Sequence, residues 1–172
     1  MKKQILDELE VGSPNVAEIG LTYSAVVPPA KRRQIISPDD LYEVLREWWD
    51  WEGIELYETF VVLLMDRQSR IIGIYPHSAG GSSGVLVDCK LIMAAAVKCN
   101  AGAIVLAHNH PSGTLRASAA DIKTTKALAT IGKLHNIPVL EHIIISPFNG
   151  EYYSFAEHLP EVMNGFSIDV LR

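Results

Sequence analysis

The chain has 172 residues, 48% of them hydrophobic and 20% charged, with a formal net charge of -5; that suffices for one domain with a sizeable core and argues against a broad phosphate-binding surface, whose affinity comes from clustered Lys and Arg. Lys31-Arg32-Arg33 is the one basic run, short enough to read as a solvated face rather than a phosphate contact. Cys89 and Cys99 lack the Cys-x-x-Cys spacing of a thiolate metal site or redox pair, the N-terminus is too acidic for a signal peptide, and no stretch reaches the length of a membrane span, so the expected compartment is a reducing cytoplasm.

In chain order, residues 1–15 are polar and end in Gly12-Ser13-Pro14-Asn15, which predicts a mobile tail or partner arm ahead of a single domain over residues 16–172. Residues 19–27 have strand-like content and are stopped by Pro28-Pro29. Ser37-Pro38-Asp39-Asp40 supplies an N-cap, a proline at the first helical position and an acid three residues after the cap, so a helix is expected from there to about Trp49. Trp48, Trp49 and Trp51 at its end are read as a core edge or interface, which leaves a homodimer open, rather than as a base-stacking platform.

Residues 57–65 and 71–75, joined by Asp66-Arg67-Gln68-Ser69, read as a hairpin with Glu58 at the start of its first strand. Gly80-Gly81-Ser82-Ser83-Gly84 lacks the Lys-Ser or Lys-Thr ending of a phosphate-binding loop and is read as a flexible loop. Residues 87–98 carry apolar side chains around most of a helical cylinder, which predicts a buried helix. Residues 103–107 form a short apolar strand that delivers His108 and His110 at its end. A second helix is expected over residues 118–135, with Leu128, Ile131 and Leu134 at helical spacing, then a strand over 139–145, a turn at Pro147-Phe148-Asn149-Gly150 and a return through Glu151-Tyr152-Tyr153-Ser154. The order is that of an α/β fold of mixed α+β character, with a central mixed sheet flanked by helices.

The chemistry concentrates in His108-Asn109-His110-Pro111-Ser112-Gly113, followed by Ser118 and Asp121. Two imidazoles two residues apart on a strand end point to the same side of the sheet. With a carboxylate after a short loop they make three protein ligands, and a fourth tetrahedral position left to water distinguishes a catalytic zinc site from a closed structural one. Each part has an ordinary reading as well: a polar turn after a strand, and a capping box in Ser118-Ala119-Ala120-Asp121. Cap and ligand are compatible, because a helix N-terminus favours a carboxylate held as its anion.

These residues resemble the JAMM/MPN zinc metallopeptidases, and more closely their bacterial RadC-like branch. The pattern His-x-His-Pro, then a serine and an aspartate three residues beyond it, is complete in His108, His110, Pro111, Ser118 and Asp121. The resemblance runs from about Ser37 through Leu159 and takes in Glu58-Thr59-Phe60-Val61-Val62-Leu63-Leu64, the glycine-serine loop, Glu141-His142 and Tyr152-Tyr153-Ser154-Phe155. It implies a JAMM/MPN-like, cytidine-deaminase-like architecture and one zinc ion per chain on His108, His110 and Asp121. Glu58 would hold the attacking water as general base, and Ser118 would offer its hydroxyl to the oxyanion. The implied activity is hydrolysis of amide bonds in a peptide or isopeptide substrate. By position alone Glu58 is only an acid at a strand edge, normally solvated. His142 either orients a ligand or simply packs beside the site, and His77, His135 and His158 have no partner pattern.

The chain departs from that family at Ala117, where many members have proline, and at Cys89-Lys90, where they often read Pro-Arg. The helix-hairpin-helix region of longer members, a DNA-backbone binder, does not appear. Two rival readings therefore stand beside the hydrolase: a DNA-associated protein, on the family's DNA-repair label, and a non-catalytic binding module. Nucleobase deaminases and zincins are set aside, since Pro-Cys-x-x-Cys and His-Glu-x-x-His are both missing from the sequence. Substrate selection is expected in the loops at residues 77–84 and 112–117.

Overall fold

A computed structural model describes residues 20, 22–80, 85–148 and 150–165. The expected tail at residues 1–15 and residues 81–84 of the glycine-serine loop lie outside them. The elements in chain order are α1 (Pro38–Trp48), β1 (Thr59–Met65), β2 (Ile71–Ala79), α2 (Cys89–Lys98), β3 (Ala103–Asn109), α3 (Ala119–Leu134), β4 (Val139–Ile145), β5 (Tyr152–Ser154), α4 (Phe155–His158) and α5 (Pro160–Met163). The five strands form one sheet in the order β2-β1-β3-β4-β5. β3 and β4 are parallel and the other pairs antiparallel, giving the mixed α/β architecture expected.

The sheet sorts its side chains by parity. β1 and β3 are apolar runs because helices cover both of their faces. Val61, Leu63, Val105 and Ala107 face α1 through Leu41 and Leu45. Their neighbours Val62, Leu64, Ile104 and Leu106 face Ile92 and Ala96 of α2 and Leu128 of α3. Slipping a strand by one residue would exchange these sets, so the register is strongly specified. The same parity carries His108, two residues beyond Leu106, onto the face covered by α2 and α3.

Parallel pairing of β3 with β4 requires a crossover, and α3 is that crossover. The carboxyl end of β3 and the N-terminus of α3 therefore lie on one side of the molecule, where open α/β sheets place their ligands. At α1 the cap forms as its sequence predicts: Ser37 Oγ accepts the Asp40 N–H at 3.2 Å, and Asp40 Oδ2 accepts the Ser37 N–H at 3.0 Å.

Four local expectations need correction or completion. Within the expected strand at 19–27, residues 22–27 are exposed and form no strand; among the described residues the only ladder contact before α1 is the bridge between Gln34 and Arg70. Strand-like content alone does not make a strand, and residues 22–27 pair with none among the described residues. α2 is not buried all round, because a single face of it meets the sheet: Ile92, Met93 and Ala96 are buried while Leu91 and Val97 stay about half exposed. β2 runs on through Pro76 to Ala79, which an outer strand tolerates, and the register against β1 shifts there, between Phe60 and Val61. Of the tryptophans, Trp49 closes the α1 core, while Trp48 and Trp51 remain partly exposed. No helix among the described residues is long and apolar enough to cross a membrane.

The α3–β4 junction gives a test of packing against propensity. Alanine favours helix over glycine by about 1 kcal/mol, yet a Cβ on Gly132 would collide with the backbone oxygen of Ile137 at the entry to β4. Gly132→Ala is expected to lower the Tm by about 3 °C or more. An unchanged or raised melting temperature by circular dichroism would contradict this close approach.

Candidate metal centre

The site is assembled by strand register and one turn. β1 and β3 pair Phe60 with His108, so His108 lies at the last paired position, fully buried. His110 follows the strand; its N–H bonds the Ile145 oxygen at 3.1 Å, and its own oxygen accepts the Gly113 N–H at 2.8 Å to close a turn. Gly113 has φ +73°, and a Cβ there would lie 2.6 Å from the Phe148 ring, so both backbone and space require glycine. The chain then enters α3, where Ser118 Oγ accepts the Asp121 N–H at 3.2 Å and Asp121 Oδ2 accepts the Ser118 N–H at 2.7 Å. The capping box forms, and it aims the carboxylate of Asp121 at the histidines.

Three metal-ligating side chains converge. His108 Nε2 lies 3.0 Å from His110 Nε2 and 3.4 Å from Asp121 Oδ1, and His110 Nε2 lies 3.6 Å from Asp121 Oδ2. Ligand atoms on a tetrahedral zinc ion, at bond lengths near 2.0–2.2 Å, sit about 3.4 Å apart. The donor set and its spacing fit that ion.

The hydrogen bonds behind these atoms fix where the protons are. The Thr125 hydroxyl donates to the Asp121 carbonyl oxygen at 2.6 Å, so its oxygen accepts from His142 Nδ1–H at 2.7 Å. His142 is completely buried, and burial pushes its pKa well below the usual imidazole range, so it is neutral. Its Nε2 therefore accepts from His108 Nδ1–H at 2.8 Å, leaving a lone pair on His108 Nε2. His110 Nδ1 donates to the Thr114 oxygen at 2.7 Å, so the lone pair of neutral His110 is on Nε2 as well.

Two nitrogen lone pairs and a carboxylate thus face one point, an arrangement that favours positive charge there. A proton can serve: the Asp121 carboxylate beside His110 raises its pKa, against the opposing effect of burial. Burial works to raise the pKa of Asp121 too, but where the imidazoles are protonated their bonds to the carboxylate, with the charge of His108, outweigh it and hold the carboxyl far below its ordinary range. Stacking adds rigidity, with the Phe60 ring on His108 and the Phe155 ring on His142.

Glu58 and Ser118 line the same cleft, of about 910 Å³, together with His110 and Asp121. Glu58 is half-buried, and its charge contributes to the raised pKa of His110. The loop residues Ser112, Thr114, Arg116 and Ala117 form part of the cleft wall, where substrate selection is expected. Of the two readings for His142, its bond to His108 supports the orienting one. His77, His135 and His158 stand apart, bonded to the Asp88 N–H, the Ile131 oxygen and the Ser154 oxygen. Sequence reasoning missed Thr125 and Asn109. The only trace of Thr125 is its position four residues after Asp121, one helical turn along the same face.

Thr125→Val keeps the side-chain volume and removes the hydroxyl, stranding His142 Nδ1–H in the core. The expected cost is about 1–3 kcal/mol of stability and roughly 10- to 100-fold in zinc affinity. Denaturant melts and metal titration of the folded variant measure both, and wild-type zinc affinity would remove Thr125 from the site.

With this geometry in hand, the chain can be set beside known proteins. Residues 35–160 match the model of the RadC-like JAB domain family. A UPF0758 protein, tlr1707, from Thermosynechococcus vestitus is 37% identical over 132 residues, covering 77% of this chain and 51% of that protein. UPF0758 proteins of Flavobacterium johnsoniae, 36% identical over 127 residues, and Pelobacter propionicus, 42% over 122 residues, cover 74% and 69% of this chain and 53% and 52% of their own. The chain spans about half the length of the curated relatives it matches. Its matched segment holds all of β1 to α4 and every residue of the His108, His110 and Asp121 cluster, and the chain belongs to the RadC-like JAB domain family.

Proposed function

We propose that the protein is a zinc-dependent hydrolase of amide bonds in peptides or isopeptides, with the metal on His108, His110 and Asp121. The observation that carries this reading is the convergence of three metal-ligating side chains, with both imidazole Nε2 atoms 3.0 Å apart and each 3.4–3.6 Å from one oxygen of the Asp121 carboxylate, beside a cleft lined by Glu58, His110 and Asp121. Zinc held there would supply Lewis acidity and lower the pKa of a water to roughly 7. Glu58 takes the proton of the attacking water and returns it to the leaving amine. The Ser118 oxygen accepts the Asp121 N–H, while its hydrogen turns to the substrate oxygen as that oxygen gains charge. One such donor is typically worth roughly 3 kcal/mol in the transition state. His142 and Thr125 keep His108 in one tautomer through the cycle.

Charge supports this reading over DNA association. Arg32 pairs with Asp66 at 3.3 Å, and Arg33 pairs with Glu43 at 3.3 Å and Glu47 at 3.0 Å, so the arginines of the basic run already face carboxylates. The test is a screen of peptide and isopeptide substrates with the zinc-loaded protein, using Glu58→Gln as the control. That variant should keep one zinc per chain and lose about 10²- to 10⁴-fold in kcat, the usual share of a general base. Undiminished turnover in Glu58→Gln would remove Glu58 from the mechanism.

A further inference from the structure

Asn109 stands between the two histidines of the cluster and does separate work. It is fully buried, and strand alternation turns its side chain to the face opposite His108. There its amide reaches back about fifty residues. Oδ1 accepts the Thr59 N–H at 2.7 Å, and Nδ2 donates to the Ile54 oxygen at 2.7 Å and the Tyr57 oxygen at 3.0 Å. Both donors and one acceptor site are used, and the partners fix which end of the amide is oxygen, since carbonyls need the NH₂ and the N–H needs the oxygen.

Two of those three bonds fall on either side of Glu58. The Glu58 carbonyl oxygen itself accepts the Gly80 N–H at 2.8 Å. The ladder between β1 and β3 ends at the pair Phe60 and His108, so Glu58 lies beyond its last paired position. The Asn109 side chain continues that ladder by two residues, binding Thr59 and Tyr57 where no β3 backbone pairing reaches.

We propose that Asn109 is the positioning residue for Glu58: its buried amide clamps the backbone on both sides of residue 58 and so fixes the carboxylate relative to the His108, His110 and Asp121 cluster. This rests on the hydrolase reading above and extends it. The residue type follows from the partners. Aspartate would set a carboxylate against the oxygens of Ile54 and Tyr57, and serine is too short to reach all three groups. One tripeptide, His108-Asn109-His110, thereby supplies two metal ligands on one face of the sheet and the support of the base on the other.

The test compares wild type, Glu58→Gln, Asn109→Ser and the double variant, each loaded with Co(II) as a visible-absorbing stand-in for zinc. The absorption of the loaded protein is followed across pH, and turnover is measured on any substrate found for the zinc form. Glu58→Gln is expected to move the midpoint of the spectral change by one pH unit or more. Asn109→Ser should move it the same way by at least half as much, the double variant should match Glu58→Gln alone, and kcat of Asn109→Ser should fall at least 10-fold with KM within 2-fold. Should Asn109→Ser fail to fold, Asn109→Gln, which displaces the same amide by one methylene, is read in the same assay. A folded Asn109 variant with one metal per chain and a wild-type spectrum would overturn the positioning role alone. A wild-type spectrum and turnover in Glu58→Gln would instead overturn the hydrolase reading on which the role depends.

Discussion

Two imidazole nitrogens 3.0 Å apart, each with its lone pair turned to the other, repel unless something positive stands between them. Here the backing hydrogen bonds leave no alternative tautomer. Thr125 gives its proton to the Asp121 carbonyl oxygen, which commits His142 and then His108, while the Thr114 oxygen commits His110. Asp121 adds negative charge at the same point. The interior of the protein is therefore arranged to accept positive charge at this point, whether a proton or a metal ion. The relay also closes on itself, since it begins at one ligand, His108, and ends at the backbone of another, Asp121.

The fold meets that demand through register. Parity along β3 sends His108 toward α3, and the parallel partner β4 carries His142 beside it. The crossover brings the first turn of α3, with Asp121, to the carboxyl end of β3. The antiparallel partner β1 starts at that same end, so Glu58 arrives from the opposite direction. A strand slip on either side of β3 would separate base from ligands, and the two-sided apolar packing of β1 and β3 is what prevents one.

Much of this was legible in sequence because it depends on local rules. The cap at Ser37, the second cap at Ser118, the bounds of β4 and the pairing of two histidines with one carboxylate follow from spacing and residue type within a dozen positions. What escaped depends on partners remote in the chain. Asn109 binds groups 50 to 55 residues away, and no spacing in the sequence points from it to them. Thr125 gains its role only from His142, which β4 brings beside α3 from seventeen residues along the chain. Residues 22–27 show the reverse error, in which strand-like composition is read as a strand although these residues stay exposed and unpaired with any strand. The exposed flank of α2 follows the same logic, because a one-sided layer leaves Leu91 and Val97 uncovered.

The chemistry proposed for the site turns on the cation. Calorimetric titration of the metal-free protein with zinc, run on wild type and on Asp121→Ala, addresses it most directly. The geometry predicts one zinc per chain for wild type and loss of stoichiometric binding in Asp121→Ala, because the remaining two nitrogens lack both the third ligand and the compensating charge. No zinc uptake by wild type, or uptake undiminished in Asp121→Ala, would contradict it.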